Sequence, residues 1–320
     1  PRRRRRLAAL CHHLGARETA PPAAAPRAAA PRAAVPAPAP AAASAASDVA
    51  SLAVDLTAGL RLLERGGQDD LCAGFFSARH PRDPDLFLAP SHGTFWREAT
   101  PATYGVYSCR TRERVSGDGP MPNFPSTAVS AAIYAACPEI NAIVHAHPSS
   151  IRSLTAADGD AGTILPISEP SFMFFERVAS IECNFFFDDD YLEEIVAAIR
   201  SGRYCVMMRN HSYLMTGKDV QEAYIRAYMV EQSASVQLQL LSASGGALPT
   251  IPSEEECLFH RRSYEGYDGC PPYDGQLEWP GLVRGLDADS PGWRGDNGEG
   301  LARALEEALQ TAESAMAASS

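Results

Sequence analysis

The sequence predicts an α/β domain in which helices pack on a central sheet. Three observations carry this. Apolar residues recur at Val49, Leu52, Ala53, Leu56, Leu60 and Leu63, which is helical spacing. Short apolar runs of strand length come next in LCAGFFSAR, DLFLAP and ATYGVYS. Helix-like and strand-like segments then alternate to about residue 246.

Ser47 or Asp48 can cap the first helix, and Gly66-Gly67 can end it. SGDGP at 116–120 reads as a turn between strands. STAVSAAIYAAC (126–137) reads as a helix with Pro125 and Ser126 at its start and Pro138 as its stop. NAIVHAH is the strand after it. TILPIS, ASIECNFFF and RYCVMMRNHSYLMTG continue the strands, and DDDYLEEIVAAIRSG supplies a helix between them. A long helix starts after Asp219, an N-cap candidate with Glu222 as its box partner, and ends at Gly245-Gly246.

These segments divide the chain into four parts: an Ala/Pro/Arg-rich leader over 1–47, the α/β domain over 48–247, an arm over 248–300, and a short acidic helix or tail over 301–320. The arm reads as irregular, anchored by Tyr264, Tyr267, Tyr273, Trp279 and Trp293. The leader has too little apolar bulk to fold alone, and reads either as an organelle transit peptide or as a disordered segment.

The net charge of −11 conceals an asymmetry. The leader holds eight arginines and a single acid, Glu18, which leaves 20 basic and 38 acidic residues for 48–320, a balance of −18. Such an acidic body argues against a nucleic-acid groove and a broad contact with anionic membrane. No apolar run approaches the ~18 residues of a transmembrane helix. Eight cysteines without a C-x-x-C pair argue against a zinc ribbon or redox motif and suggest a reducing compartment. The sequence holds no Walker loop, G-x-S-x-G or G-x-G-x-x-G.

The chemistry sits in NAIVHAHPSS (141–150). In a strand, His145 and His147 point to one face, so their rings can converge on one ion. Alone, H-x-H is a weak signal and reads more often as two structural histidines, because zinc needs at least three protein ligands. RNHS (209–212) lies between two apolar strands and sets His211 at a turn, where functional residues concentrate. Three histidines would make an open site with a position for water or substrate.

Four stretches in order, AGFFSARHPRDPDLFLAP, AAIYAACPEINAIVHAHPSS, ILPIS and VMMRNHSYLMTGKDVQEAYIRAYMVEQ, resemble the class II aldolase/adducin family. The resemblance covers about residues 50–247 and is closest to the adducin-like branch. ILPISEP resembles that branch's L-P-I-S-Q segment, QSASVQLQLLSASGG its long helix, and LEWPGLVRGLDADSPGWR its C-terminal segment. The resemblance implies a three-layer α/β/α domain around a central sheet, assembled as a homotetramer. It also implies Zn2+ or another divalent metal on His145, His147 and His211. In the aldolases of the family that metal polarises a carbonyl, and a glutamate serves as acid/base.

The family pattern breaks at several positions. Ser126 occupies the glutamate position, and a serine hydroxyl cannot replace a carboxylate near neutral pH. Gly74, Ser77, Ser91 and Gly93 match the substrate-binding loops, but Phe75 replaces an asparagine. Ser212 replaces a glycine after His211. Glu113, Glu169 and Glu176 are candidate substitute carboxylates by residue type, although exposed or paired surface acids are the commoner case. His92 lies in a loop able to approach the site. One expected function is a metal-dependent lyase, of aldolase or decarboxylase type, on a small carbonyl or hydroxy acid. Another is an adducin-like, non-catalytic protein on the actin cytoskeleton, opposed by the chain's single lysine, Lys218. A third is an inactive scaffold. Cytoplasmic or cytoskeletal placement is expected, with an organelle as the alternative through the leader.

Overall fold

The computed structural model describes residues 45–267 and 271–319. The leader, whether transit peptide or disordered segment, therefore lies outside the described residues, except at positions 45–47.

The first helix, α1 (Ala45–Arg65), is already formed at Ala45, so neither Ser47 nor Asp48 caps it. Asp48 lies in its first turn and pairs with Arg82 at 2.8 Å. Gly67, at φ +68°, ends the helix, and Gln68 N–H donates to the Leu63 carbonyl. Strands β1 (Phe75–Arg79), β2 (Leu86–Pro90), β3 (Tyr104–Ser108) and β4 (Arg114–Ser116) come after it. SGDGP does not join two strands, contrary to expectation. The β3–β4 turn is made at 109–113, with Arg112 at φ +61°, and Gly117 and Gly119 bend the chain from β4 toward α2 (Phe124–Ala136). Asn123 caps α2 by accepting from Ser126 N–H.

Strand β5 (Ala142–Ala146) leads into a short helix, α3 (Ser149–Thr155), that sequence pattern did not reveal. TILPIS forms no strand; Leu165 N–H instead donates to the Gln237 side chain, which takes up a strand-type donor. Next come β6 (Val178–Ile181), α4 (Asp189–Arg200), β7 (Cys205–Met208), β8 (Ser212–Gly217) and α5 (Val220–Ala243). Asp219 caps α5 through Glu222 N–H at 2.8 Å.

The strands form one sheet in the order β4-β3-β2-β1-β5-β8-β7-β6. Pairing is antiparallel except between β6 and β7. Alternation along the strands sends side chains to two cores. Phe76, Val144, Met207 and Tyr213 meet α1 and α5, whereas Phe75, Ile143, Val206 and Leu214 meet α2 and α4. This is the three-layer α/β/α domain around a central sheet.

The arm expected to be irregular carries two helices, α6 (Glu254–Glu265) and α7 (Trp279–Asp289). Ser253 and Glu256 close a capping box on α6, a local signal that outweighs the Gly and Pro around it. Four of the five aromatic anchors pack: Trp279 and Trp293 are buried in the α1/α5 core and Tyr264 and Tyr273 lie against it, whereas Tyr267 is exposed. Helix α8 (Glu299–Ser319) adds Leu301, Ala302 and Leu305 to the same core. Among the described residues, no helix is long and apolar enough to cross a membrane.

Candidate metal centre

The central position of β5 sets the site. Paired with β1 on one side and β8 on the other, it buries every residue from Ala142 to Ala146. His145 stands opposite Phe75 and Leu214. The strand ends at Ala146, one residue short of expectation, and His147 N–H donates instead to the Gln68 carbonyl. The β7–β8 hairpin brings His211 to the same end of the sheet. Asn210 takes the left-handed conformation there, at φ +54°, a role that asparagine fills with little strain. Ser212 is not in the left-handed region, so loss of the family's glycine costs nothing in backbone. Its hydroxyl donates to the Ala146 carbonyl and ties the hairpin to β5.

The three histidines converge. His147 Nε2 lies 3.0 Å from His145 Nε2 and 3.1 Å from His211 Nε2. Each Nδ1 faces outward. His145 Nδ1 donates to the Tyr213 carbonyl at 2.7 Å, His147 Nδ1 faces Asp70 at 3.5 Å, and His211 Nδ1 faces Cys183 Sγ at 3.1 Å. Burial holds the His145 imidazole well below its ordinary pKa, with repulsion from His147 and His211 adding to it. Burial, then repulsion from His211, depresses His147 to about 4 against the pull of Asp70. Burial also lowers His211. All three rings are therefore neutral at neutral pH.

A carbonyl only accepts, so His145 carries its proton on Nδ1 and presents a lone pair on Nε2. Neutral imidazoles presenting lone pairs to one point repel each other unless a proton or a cation lies between them. The donor set is the one that zinc and related divalent ions favour, so these residues fit a metal ion.

The other expected residues divide. Gly74, Ser91, His92 and Ser126 line one small pocket beside the site, with about 10 Å³ of accessible space. That is room for a single water molecule. Trp96 and Phe75 fill the rest, and Phe75 also lies against the His145 ring at 5.7 Å. Ser126 is buried and its hydroxyl has no partner. Gly93, at φ +91°, is not part of this lining. Ser77 is fully buried, its hydroxyl 2.7 Å from Ser130 Oγ and 3.1 Å from the Tyr134 hydroxyl, so it belongs to the β1–α2 core rather than to a substrate loop.

None of the three candidate carboxylates joins the histidine cluster. Glu169 accepts from Tyr264, Glu176 pairs with Arg261 at 2.5 Å, and Glu113 sits in the β3–β4 turn. Asp70, Cys183 and the exposed Phe185, whose ring lies 5.1 Å from His211, escaped sequence reading because GQDDLC and IECNFFF carry no spacing signal.

Comparison with known proteins gives the same picture. The class II aldolase and adducin N-terminal domain matches residues 54–238. A protein of Caulobacter vibrioides named for class 2 aldolases is 26% identical over 246 residues, covering 75% of this chain and 90% of its own length. Human beta-adducin is 24% identical over 228 residues, 70% of this chain but only 29% of the adducin. Among solved structures, an aldolase II superfamily protein from Pseudomonas syringae superposes with a TM-score of 0.69 at 24% identity, covering 77% of this chain and 96% of that one. L-fuculose 1-phosphate aldolase from Glaciozyma antarctica gives 0.67 at 19% identity, covering 80% and 96%. These two show the shared fold. Because the family match runs from α1 through α5 and takes in both histidine-bearing segments, this chain belongs to the class II aldolase and adducin N-terminal domain family.

Proposed function

We propose that the chain binds a divalent metal ion through His145, His147 and His211, on a site degenerate for aldol cleavage of phosphorylated sugars. The convergence of the His145 and His211 Nε2 atoms to within 3.0–3.1 Å of His147 Nε2 carries this reading. Such an ion, when bound, polarises a carbonyl or hydroxyl oxygen. The chain's own residues narrow the reactions open to it. Ser126 cannot exchange a proton near neutral pH, as the family's glutamate does. Phe75 and Trp96 line the adjoining pocket, whose space of about 10 Å³ is too small for a phosphate group. Any turnover is therefore lyase chemistry on a small unphosphorylated carbonyl or hydroxy acid.

Elemental analysis of the purified protein tests the reading. Wild type is expected to carry about one divalent ion per chain, and His145→Ala and His211→Ala to carry almost none. Wild-type protein that stays metal-free after incubation with Zn2+, Co2+ and Mn2+ would sink the proposal.

A second reading is favoured by the likeness to beta-adducin: a non-catalytic domain that binds actin filaments in the cytoplasm or cytoskeleton. Co-sedimentation decides it, and absence from the filament pellet at micromolar protein removes it. For either reading we infer a homo-oligomer, a tetramer on the family pattern. Phe185, beside His211, and its neighbour in sequence Phe186, 70% and 86% exposed, offer an apolar contact for assembly. A monomeric mass by light scattering would contradict that.

A further inference from the structure

The outward-facing ring nitrogens lead into a connected set of side chains. His145 Nδ1 donates to the Tyr213 carbonyl, and the Tyr213 hydroxyl donates to Gln68 Oε1 at 2.7 Å. Gln68 Nε2 donates to the Ala227 carbonyl on α5 at 3.2 Å, and the Gln68 carbonyl accepts from His147 N–H at 3.3 Å. Only 1% of Gln68 is exposed. It joins the end of β5, strand β8 and helix α5 through one residue. Two residues on, Asp70 Oδ2 stands 3.5 Å from His147 Nδ1, a buried atom with no hydrogen bond of its own. Arg152 faces the same carboxylate at 3.6 Å and holds it in place. On the far side, Cys183 Sγ meets His211 Nδ1 at 3.1 Å.

We propose that Asp70 and Cys183 are positioning residues of the three-histidine centre, acting through Nδ1 of His147 and His211, with Gln68 fixing the loop that carries Asp70. This rests on the metal-binding reading. A neutral imidazole has one N–H. An acceptor behind Nδ1 keeps the proton there, leaves Nε2 as a lone pair, and sets the plane of the ring. The three acceptors differ in strength. The Tyr213 carbonyl is fixed by the sheet, Asp70 is a carboxylate, and the Cys183 thiol is a weak acceptor.

The test measures Zn2+ affinity by competition with a chelator, in wild type and four variants. Asp70→Ala is expected to weaken binding about 10- to 100-fold, as loss of a partner behind a ligating histidine does. Asp70→Asn, which keeps an acceptor oxygen, recovers most of that. Cys183→Val keeps the volume without the acceptor and weakens binding about 10-fold; Cys183→Ser matches or exceeds wild type. The Co2+ absorption spectrum shifts in Cys183→Val and not in Cys183→Ser, which a merely structural thiol would not produce. Thermal melts in chelator check that the metal-free variants fold, and Asp70, with a side chain 41% exposed, is suited to substitution. Wild type that binds Zn2+ with Asp70→Ala and Cys183→Val within twofold of it overturns this inference alone. Wild type that binds neither Zn2+ nor Co2+ overturns the metal-binding reading itself.

Discussion

At position 74 the backbone turns at φ +84°, and a Cβ there would stand 2.5 Å from the His145 carbonyl oxygen. Only glycine satisfies both constraints. Gly74→Ala is expected to cost about 2 kcal/mol or more, since a left-handed conformation and a backbone clash both oppose it. Metal affinity should fall with it, because the displaced atoms belong to a proposed ligand, His145; chemical denaturation and Zn2+ titration of one variant check both. Ser77 makes the opposite case. Its hydroxyl bridges Ser130 and Tyr134 inside the β1–α2 core. Ser77→Ala is expected to destabilise by about 1–2 kcal/mol, the cost of leaving buried partners unmet, with Zn2+ affinity unchanged. A change in affinity larger than twofold would return Ser77 to the site.

Among the elements, α5 shows how a local signal supports a distant site. Asp219 accepts from Glu222 N–H and fixes where the helix starts. Successive turns then carry Ala223, Ala227, Val230 and Ala234 into the core beneath β5 and β8. The Ala227 carbonyl receives Gln68, so the register of α5 reaches the histidines through one hydrogen bond. Asp219→Ala is expected to cost about 1 kcal/mol by removing the cap. Urea midpoints with and without Zn2+ check this, and equal losses in both show that the metal does not substitute for the cap. The β7–β8 hairpin works at the same scale. Asn210 turns it, and Ser212 ties it to Ala146, so His211 arrives beside His145 with few free torsions.

For the whole molecule, pH is the lever. His80, His145, His147 and His211 all have folded-state pKa values below the ordinary histidine value, with burial the largest cause. In the unfolded chain they take up protons as pH falls through about 6.5, while the folded protein does not. The folded state then binds fewer protons, so its stability falls as pH drops below about 6.5. For His147 the loss continues to about pH 4. Asp55 and Glu231, raised by burial, oppose this, because they take up protons in the folded state before the unfolded one as pH falls, but they are two groups against four histidines. The metal-free protein should melt at a lower temperature at about pH 5.5 than at about pH 7.5. An equal or higher midpoint at the lower pH would contradict the burial of neutral histidines.

The α/β pattern and the His145–His147 pair were legible because both rest on short-range rules. Alternation of apolar residues fixes which face of a strand is buried, and strand geometry aims His145 and His147 together before any tertiary contact is known. The serine at 126, where the family resemblance expects a glutamate, was likewise read from the sequence. Contacts between residues far apart in the chain were not legible. Ser77 looks like a loop residue until α2 lies across it. SGDGP looks like a hairpin until Arg112 makes the turn first. Asp70 and Cys183 carry no motif, and only the packing of loop 68–73, the segment after β6, β5 and the β7–β8 hairpin at one sheet end puts them behind the rings. Residue type and local period determined an α/β domain and the His145–His147 pair, and the family resemblance added the three-layer architecture and the full histidine set; tertiary packing decided the orientation of the rings and the near-closure of the adjoining pocket, because both depend on atoms that meet only when the layers close.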